Sequence, residues 1–306
     1  MVPGEADPAA GLPRSRPRAL YRVVMMTIVS LVLMAAYAVS LGPAKRWRRS
    51  LQATWCRVLC RLAGLRITLT GTPLNGGPTL FVANHCSYLD ITVIARDAAA
   101  TFVAKSEVAR WPLFGQAARL TRTIFIQRVG TAAKTQGAEM LGRLQAGDNL
   151  MLFAEGTSTD GAAVAPFKST LFAIAEQVPP DFDLQVQPVS ITYARTLSGL
   201  PLTGLRRQLY CWFGDMTMFP HLMRMLTLEG AQVELRFLPP IPARGRNRKQ
   251  LARLAFDAVA ASIADVNGAL LIGGDEASAA ERPVSSAPPE AADAAHRSEP
   301  ACPPAG

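Results

Sequence analysis

Apolar residues along the chain fall into three kinds of run, and each kind predicts a different element. Residues 23–41 are apolar and carry no charge. At a rise of about 1.5 Å per residue they would form a helix of about 28 Å, close to the hydrocarbon thickness of a bilayer. Residues 46–62 show helical spacing instead, with apolar side chains on one face and arginines beside it. From residue 65 onward, short apolar runs alternate with segments of helical spacing, which predicts strands and helices in turn.

The short apolar runs are each bounded by turn residues or by polar side chains, as buried strands are. The predicted strands cover 65–70, 79–83, 101–104, 123–126, 150–153, 186–193 and 232–238. Helical spacing predicts a helix over 131–145 and a last long helix marked by Leu251, Leu254, Ala258 and Ile263. This alternation predicts an α/β fold: a single domain with a mixed, mostly parallel sheet flanked by helices. The apolar helix and the amphipathic helix precede that domain.

The chain therefore divides into four predicted parts. Residues 1–22 form a basic flexible N-terminus, and residues 23–64 hold the apolar helix and the amphipathic helix. The α/β domain covers 65–272. Residues 273–306 are rich in Ala, Pro, Ser and Glu with few large apolar side chains, so we expect a disordered tail.

The apolar run 23–41 has two interpretations. Its basic flank resembles that of a signal peptide, but the run is long for one and leads into Lys45 and Arg46. We therefore expect a retained membrane anchor. Basic residues on both sides leave its orientation open. A helix that enters one leaflet and returns would place the rest of the chain on the cytoplasmic face of the inner membrane.

The amphipathic segment 46–62 is equally open to two interpretations. Trp47 and Trp55 suit the headgroup level of a membrane, and the arginines suit anionic lipid. The same pattern is typical of a helix that packs against its own domain.

Composition narrows the classes of partner. The 306 residues are 49% hydrophobic, with a formal net charge of +9 and a mean hydropathy of +0.17. These values suit a membrane-associated protein that meets anionic surfaces. The basic clusters lack interleaved aromatic residues and no nucleic-acid-binding motif is present, which argues against nucleic acid as a partner. The five cysteines are dispersed, so neither a disulfide framework nor a zinc site is predicted.

The clearest candidate for chemistry follows the strand 79–83. His85 comes directly after Asn84 at the end of that strand, and Asp90 follows one helical turn later. A carboxylate that holds one ring nitrogen fixes the tautomer of a histidine and leaves the other nitrogen to act as a base. Alternatively, Ser87 and Asp90 form only a helix capping box, and the histidine is structural.

Polar side chains at the ends of other predicted strands favour the catalytic interpretation. Lys105, Arg128 and Glu155 each follow a separate strand. Because the carboxyl ends of parallel strands meet at one edge of a sheet, we expect these groups to lie near His85.

Four segments together resemble the membrane glycerolipid acyltransferase family, the group similar to lysophosphatidic acid acyltransferases. Residues 84–90 resemble the family's His-x4-Asp motif, and Ile124-Phe125-Ile126-Gln127-Arg128 resembles its second block. Phe153-Ala154-Glu155-Gly156-Thr157-Ser158 is similar to its Phe-Pro-Glu-Gly-Thr-Arg block, and Val186-Gln187-Pro188-Val189 resembles the fourth. The order and the spacing agree over roughly residues 65–240.

The resemblance implies an enzyme that transfers an acyl group from a thioester to a lysolipid. His85 would take the proton of the acceptor hydroxyl, and Asp90 would orient the imidazole. Six further positions correspond to predicted substrate-binding residues: Lys105, Arg128, Glu155, Gly156, Thr157 and Lys168. The donor would be an acyl carrier protein or acyl-CoA. The resemblance implies no metal and no redox cofactor.

Two departures from the family pattern bear on the acceptor. Ala154 replaces the usual Pro, and Ser158 replaces an Arg that would offer a bidentate contact to phosphate. Segments 155–161, 166–169, 212–216 and 220–221 resemble the lyso-ornithine lipid acyltransferase branch, whose acceptor has no phosphomonoester. We therefore favour lyso-ornithine lipid as the acceptor.

Lysophosphatidic acid remains the alternative because Lys168 offers a charge for a phosphate. A non-catalytic lipid-binding scaffold and a hydrolase are more distant alternatives.

Overall fold

The computed structural model describes residues 7–40, 47–74, 77–111, 114–126, 132–179 and 181–280. The helices are α1 (Arg16–Ser40), α2 (Arg48–Leu62), α3 (Asp90–Ala95), α4 (Phe114–Leu120), α5 (Ala132–Gln145), α6 (Met218–Thr227) and α7 (Arg248–Ala280). The strands are β1 (Leu65–Thr70), β2 (Thr79–Ala83), β3 (Ala100–Lys105), β4 (Ile124–Ile126), β5 (Asn149–Phe153), β6 (Gln185–Thr196), β7 (Ala231–Phe237) and β8 (Ile241–Pro242).

The described strands belong to one sheet in the order β1-β7-β6-β2-β5-β3-β4, with β8 paired to β6. Strands β6, β2, β5, β3 and β4 run parallel to one another. Strand β7 is antiparallel to β6, and β1 is parallel to β7. The prediction of a mixed, mostly parallel sheet in a single domain is confirmed.

Strand β2 lies inside the sheet and is buried along its whole length. Phe81 and Ala83 point into a core that includes residues of α2, α3 and α6. Leu80 and Val82 point to the opposite side, into a core that includes residues of α5 and α7. Since helices cover both faces, an uninterrupted apolar run is what this position requires. The chain turns polar only at the carboxyl end of β2, where the candidate site begins.

Strand β6 extends beyond its predicted end at Tyr193 and reaches Thr196. Pairing with β7 continues to Thr196 opposite Ala231, with a register shift between Tyr193 and Arg195. Antiparallel pairing across a bulge stabilises these last residues, and a period-2 pattern does not reveal it.

The N-terminal segment is in contact with the domain, although the sequence predicts a flexible region over 1–22. The guanidinium of Arg22 is buried and donates hydrogen bonds to Leu226 O (3.2 Å), Leu228 O (2.7 Å) and Glu229 O (2.7 Å). These carbonyls lie at the end of α6, where no further helical turn satisfies them. Arg22 therefore attaches α1 to α6. Residues 1–6 lie outside the described residues.

Helix α1 begins at Arg16, earlier than predicted, and is long and apolar enough to cross a membrane by length and composition. The mean hydropathy of its most apolar window is 2.3, and only 11% of that window is buried. Its outer face exposes a continuous set of large apolar side chains: Leu20, Tyr21, Val24, Ile28, Leu31 and Val32. Residues 41–46, part of the predicted anchor, lie outside the described residues.

Helix α2 packs against its neighbours. Trp55, Cys56 and Cys60 are buried, and the helix contacts α1 and α3. The indole Nε1–H of Trp55 donates to Ser30 Oγ of α1 at 3.2 Å. The packing interpretation of 46–62 therefore accounts for this face of the helix.

At the other end of the chain, α7 continues through Ala280 and overlaps the predicted tail, which begins at residue 273. Alanine favours helix, and several alanines fall in this overlap. Residues 281–306 of the predicted tail lie outside the described residues.

Candidate active site

His85 and Asp90 form a hydrogen-bonded pair at the carboxyl end of β2. The His85 Nδ1 to Asp90 Oδ2 distance is 2.8 Å. The side chain of Asp90 is completely buried, whereas that of His85 is 18% exposed. The carboxylate thus engages Nδ1 from inside the protein, and the imidazole remains accessible. Nε2 is the ring nitrogen that can then accept a proton from a bound molecule.

The carboxylate of Asp90 accepts four hydrogen bonds within the described part of the chain. Oδ2 accepts from His85 Nδ1 and from the backbone N–H groups of Cys86 (2.7 Å) and Ser87 (2.9 Å). Oδ1 accepts from the hydroxyl of Tyr193 at 2.7 Å. A buried charge is tolerated when its oxygens are satisfied in this way. The donors also fix the carboxylate in one orientation.

The capping and catalytic interpretations of Asp90 are compatible. The bond from Ser87 N to Asp90 Oδ2 is one half of a capping box. The second half is missing, because Ser87 Oγ accepts instead from Leu89 N at 3.4 Å and α3 begins at Asp90. The same carboxylate that holds the turn before α3 also holds the imidazole.

Phe153, the last residue of β5, supports the imidazole from one side. Its ring stacks on that of His85 with centroids 4.0 Å apart and an interplanar angle of 19°. Phe102 of β3 packs behind Phe153 at a centroid distance of 6.2 Å. The parallel strands β2, β5 and β3 thus contribute neighbouring side chains next to the imidazole.

Glu155 holds the backbone of the loop after β2, which carries His85. Its Oε1 accepts the N–H of His85 at 2.7 Å, and its Oε2 accepts the N–H of Ala165 at 2.9 Å. Glu155 is only 2% exposed, and burial raises the pKa of its carboxyl group, while the two backbone bonds act in the opposite direction. Both oxygens are used within the protein. The sequence predicts a contact between Glu155 and the acceptor; the structure shows it positioning His85.

Gly156, Thr157 and Lys168 lie together in the loop after β5. Gly156 has a φ of 69°, which favours glycine. A Cβ there would lie 2.8 Å from Lys168 Nζ, so the ammonium group lies directly over this turn. Thr157 and Lys168 are both exposed. This loop also contacts the loop after β2, since Thr159 N donates to His85 O at 2.8 Å.

Two predicted site residues remain, Lys105 and Arg128. Lys105 is exposed at the end of β3, on the edge of the sheet that carries His85. Arg128 lies outside the described residues, as does the segment 127–131 that follows β4. Among the residues that are described, no group of three or more His, Cys, Asp or Glu side chains is arranged to hold a metal ion.

Three contributors to the site were not predicted. Tyr193 and Phe153 reach His85 or its partner from strands, where they looked like ordinary core residues. Asn84 extends the pairing of β2 and β6, because its side chain accepts from Ile191 N (2.9 Å) and donates to Ile191 O (3.0 Å). A polar residue directly before the histidine was the only available signal for Asn84.

A family model and curated relatives identify the chain that carries this site as an acyltransferase. The family model described as Acyltransferase matches residues 66–192, a range that contains the His85–Asp90 pair and Glu155. The chain is 39% identical to the lyso-ornithine lipid O-acyltransferase of Brucella abortus over 236 residues, which covers 76% of this chain and 88% of that protein. The chain belongs to the acyltransferase family, and the resemblance predicted from its motifs is confirmed.

Further relatives define the group more closely. The lyso-ornithine lipid O-acyltransferase of Rhizobium meliloti is 35% identical over 79% of this chain and 84% of its own length. The 1-acyl-sn-glycerol-3-phosphate acyltransferase of Neisseria gonorrhoeae is 34% identical, but over only 37% of this chain and 46% of its own length.

A solved structure supports the fold. The crystal structure of the 1-acyl-sn-glycerophosphate acyltransferase from Thermotoga maritima has a TM-score of 0.56 at 18% identity and covers 80% of this chain and 97% of that one.

Proposed function

We propose that this acyltransferase transfers a fatty acyl group from an acyl thioester to the free hydroxyl of lyso-ornithine lipid. The observation that carries the reaction type is the 2.8 Å contact between His85 Nδ1 and Asp90 Oδ2 in a buried, fully hydrogen-bonded setting. The acceptor is inferred from relatives whose names specify lyso-ornithine lipid and which align over most of their length.

The proposed reaction is a direct transfer. His85 Nε2 removes the proton from the acceptor hydroxyl while the oxygen attacks the thioester carbonyl. The tetrahedral intermediate then collapses, the C–S bond breaks, and the imidazolium returns the proton to the leaving thiolate. A positioned base is typically worth about 10²- to 10⁴-fold in rate. This sequence of steps calls for no metal and no redox cofactor.

Charge stabilisation of the oxyanion requires donors near the reacting carbonyl. Lys105, at the same edge of the sheet, is our candidate among side chains. The buried thiol of Cys86 is not the nucleophile in this scheme. The hydrogen bond with Cys211, together with burial, raises the pKa of Cys86 well above its usual value, so the reactive thiolate is disfavoured.

The loop after β5 would meet the acceptor headgroup. Lyso-ornithine lipid carries a carboxylate on its ornithine, and the ammonium of Lys168 above Gly156 provides a matching charge. Ser158, which is partly buried, stands where an Arg would offer a bidentate contact to phosphate. The arrangement therefore favours one carboxylate over a phosphomonoester. Thr157 and Arg128 complete the proposed acceptor-binding set.

The enzyme would work at a membrane, on the cytoplasmic face of the inner membrane, where its thioester donors are found. The exposed apolar face of α1 supports membrane attachment. The net charge of +9 suits both anionic lipid and an acidic acyl carrier protein or the phosphates of CoA.

A direct assay tests the proposal. Purified full-length protein would be given acyl-carrier-protein and CoA thioesters in turn, each with lyso-ornithine lipid or lysophosphatidic acid, and kcat/KM measured for every pair. We expect the highest kcat/KM with lyso-ornithine lipid. A preference for lysophosphatidic acid would overturn the acceptor but not the reaction. Release of fatty acid at the same rate with no lysolipid present would indicate a hydrolase.

A further inference from the structure

The hydroxyl of Tyr193 contacts the catalytic pair from the interior of the protein. It donates to Asp90 Oδ1 at 2.7 Å, the opposite oxygen from the one that His85 engages. Tyr193 is 2% exposed and Asp90 is completely buried, so no water competes for this bond. Tyr193 itself lies outside the four segments that resemble the acyltransferase family.

Two contacts besides the bond to Asp90 fix the position of Tyr193. It pairs with Val233 of β7 in the antiparallel part of β6. Its ring stacks on that of Tyr210 with centroids 6.2 Å apart and an interplanar angle of 11°. The phenol therefore has little freedom to leave Asp90.

The protonation state of Tyr193 suits a donor. Burial and the negative charge of Asp90 raise its pKa well above the ordinary value. The hydroxyl thus keeps its proton at any pH at which the enzyme works, and it always donates to the carboxylate.

We propose that Tyr193 is a positioning residue of the acyltransferase reaction, which holds Asp90 so that Oδ2 faces His85 Nδ1. The inference rests on the proposed function of the His85–Asp90 pair. Three donors bind Oδ2, but Tyr193 alone binds Oδ1 among the described residues. Without it the carboxylate would be held through Oδ2 alone, and one of its four positioning bonds would be lost. Its charge would also be less well stabilised by the protein.

The weaker stabilisation of the Asp90 charge should change the pH dependence of the reaction in a defined direction. When Asp90 loses the donor at Oδ1, its negative charge is less well neutralised. The pair then holds a proton more strongly, either on the carboxylate or on the neighbouring imidazole. The imidazolium form of His85 would be favoured, and the base needed for transfer would be available only at higher pH. The acid limb of the pH–rate profile should therefore move upward when the hydroxyl is removed.

The test is Tyr193→Phe, with Tyr210→Phe as the matched control. Both substitutions remove one hydroxyl from a buried tyrosine and keep the stacked rings, but only Tyr193 donates to Asp90. We expect kcat of Tyr193→Phe to fall about 10- to 100-fold, as for loss of a hydrogen bond to a charged group. The KM for the thioester should stay unchanged, and the acid limb should shift upward. Tyr210→Phe should keep kcat within about twofold of the wild-type value and should leave the acid limb of the pH–rate profile unshifted.

A second measurement does not depend on turnover. The chain has three histidines, so ring proton signals can be assigned with a His85→Ala sample. The His85 ring should titrate at a higher pH in Tyr193→Phe than in the wild type. An unshifted ring titration, or equal losses of kcat in both tyrosine variants, would overturn the proposal. If the wild type shows no acyl transfer, the proposed function fails, whereas the titration still decides the role of Tyr193.

Discussion

Glu155 accepts the backbone N–H of His85 at 2.7 Å and thereby joins the loop after β5 to the loop after β2. Its other oxygen binds Ala165, farther along the same loop. The place of the His85 imidazole thus depends on a carboxylate that has no hydrogen bond to the ring nitrogens. Two carboxylates serve the same histidine: Asp90 orients its ring, and Glu155 places its backbone.

Glu155→Gln should impair both stability and transfer. An amide has one oxygen, so it can accept only one of the two backbone N–H groups and must turn its NH₂ toward the other. A buried donor left unsatisfied costs about 1–3 kcal/mol. We expect a loss of that size in the unfolding free energy, measured by urea denaturation in detergent, and a lower kcat. Glu176→Gln is the control and should change neither, because its exposed carboxylate accepts one backbone N–H, that of Arg248, which an amide oxygen can still accept. Wild-type stability in Glu155→Gln would contradict the assigned role.

The stability contributed by Glu155 should depend on pH. Burial raises the pKa of its carboxyl group above the ordinary value of 4.5. The folded protein then keeps a proton that the unfolded chain has released, so the contribution of this group to stability falls as the pH rises above that value. The difference in unfolding free energy between wild type and Glu155→Gln should therefore shrink from acidic to neutral pH. A difference that grows over this range would show that the folded pKa is lowered instead.

The elements that the sequence predicted best are those whose pattern is set by burial alone. Strand β2 is apolar throughout because helices cover both faces of the sheet there, and the apolar run ends abruptly at Asn84. The His85–Asp90 pair followed from that end, because four residues of turn separate the two groups in a defined way. The 2.8 Å contact bears out the proximity that the spacing implied.

The roles that the sequence could not predict depend on contacts between distant strands. Tyr193 is separated from Asp90 by more than a hundred positions, and a tyrosine in an apolar strand looks like any other core residue. Glu155 was recognised as a site residue, but its partner is a backbone N–H, which every residue carries. Arg22 looked like part of a basic flank, yet its guanidinium is satisfied by carbonyls at the end of α6 that no local pattern reveals.

The catalytic pair gives the most direct prediction. His85→Ala should abolish transfer and leave the protein folded, since the side chain is partly exposed and its loss uncovers only one side of Phe153. Asp90→Asn should lower kcat by several orders of magnitude, because an amide can donate to Nδ1 and stabilise the wrong tautomer. Turnover would be measured alongside circular dichroism. Near wild-type turnover in His85→Ala would contradict the mechanism.

Charges on the outer face of α1 should weaken membrane attachment. Ile28 and Val32 are 50% and 61% exposed, one turn apart. An aspartate at the centre of a membrane helix costs about 2.5–3.5 kcal/mol, so Ile28→Asp with Val32→Asp should shift the protein from sedimented vesicles into the supernatant. The control is Leu254→Asp on α7, at an apolar residue that is 42% exposed. If the double variant sediments as fully as the control, α1 is not the attachment site.

Removal of the charge on Lys168 should weaken acceptor binding. Lys168→Met keeps an unbranched apolar chain over Gly156 but loses the ammonium group. We expect kcat/KM for lyso-ornithine lipid to fall about 10-fold or more, with little change in KM for the thioester. Lys249→Met, at the exposed start of α7, is the matched control. An equal effect of both substitutions would mean that Lys168 acts only through the net charge of the surface.

Ser158→Arg addresses the choice between the two acceptors. The substitution restores the Arg found in the related block, beside a turn where Lys168 already supplies one positive charge. Two cations suit the double charge of a phosphomonoester better than the single carboxylate of ornithine. A new charge-assisted bond contributes about 1.5–3 kcal/mol, which corresponds to about a 10- to 150-fold gain in relative kcat/KM for lysophosphatidic acid.

Both lysolipids would be compared with the same acyl donor in wild type, Ser158→Arg and Ser158→Lys. Because lysine provides the charge without the planar fork, it should give a smaller gain than arginine. A wild type that already prefers lysophosphatidic acid would show that Ser158 does not set the acceptor.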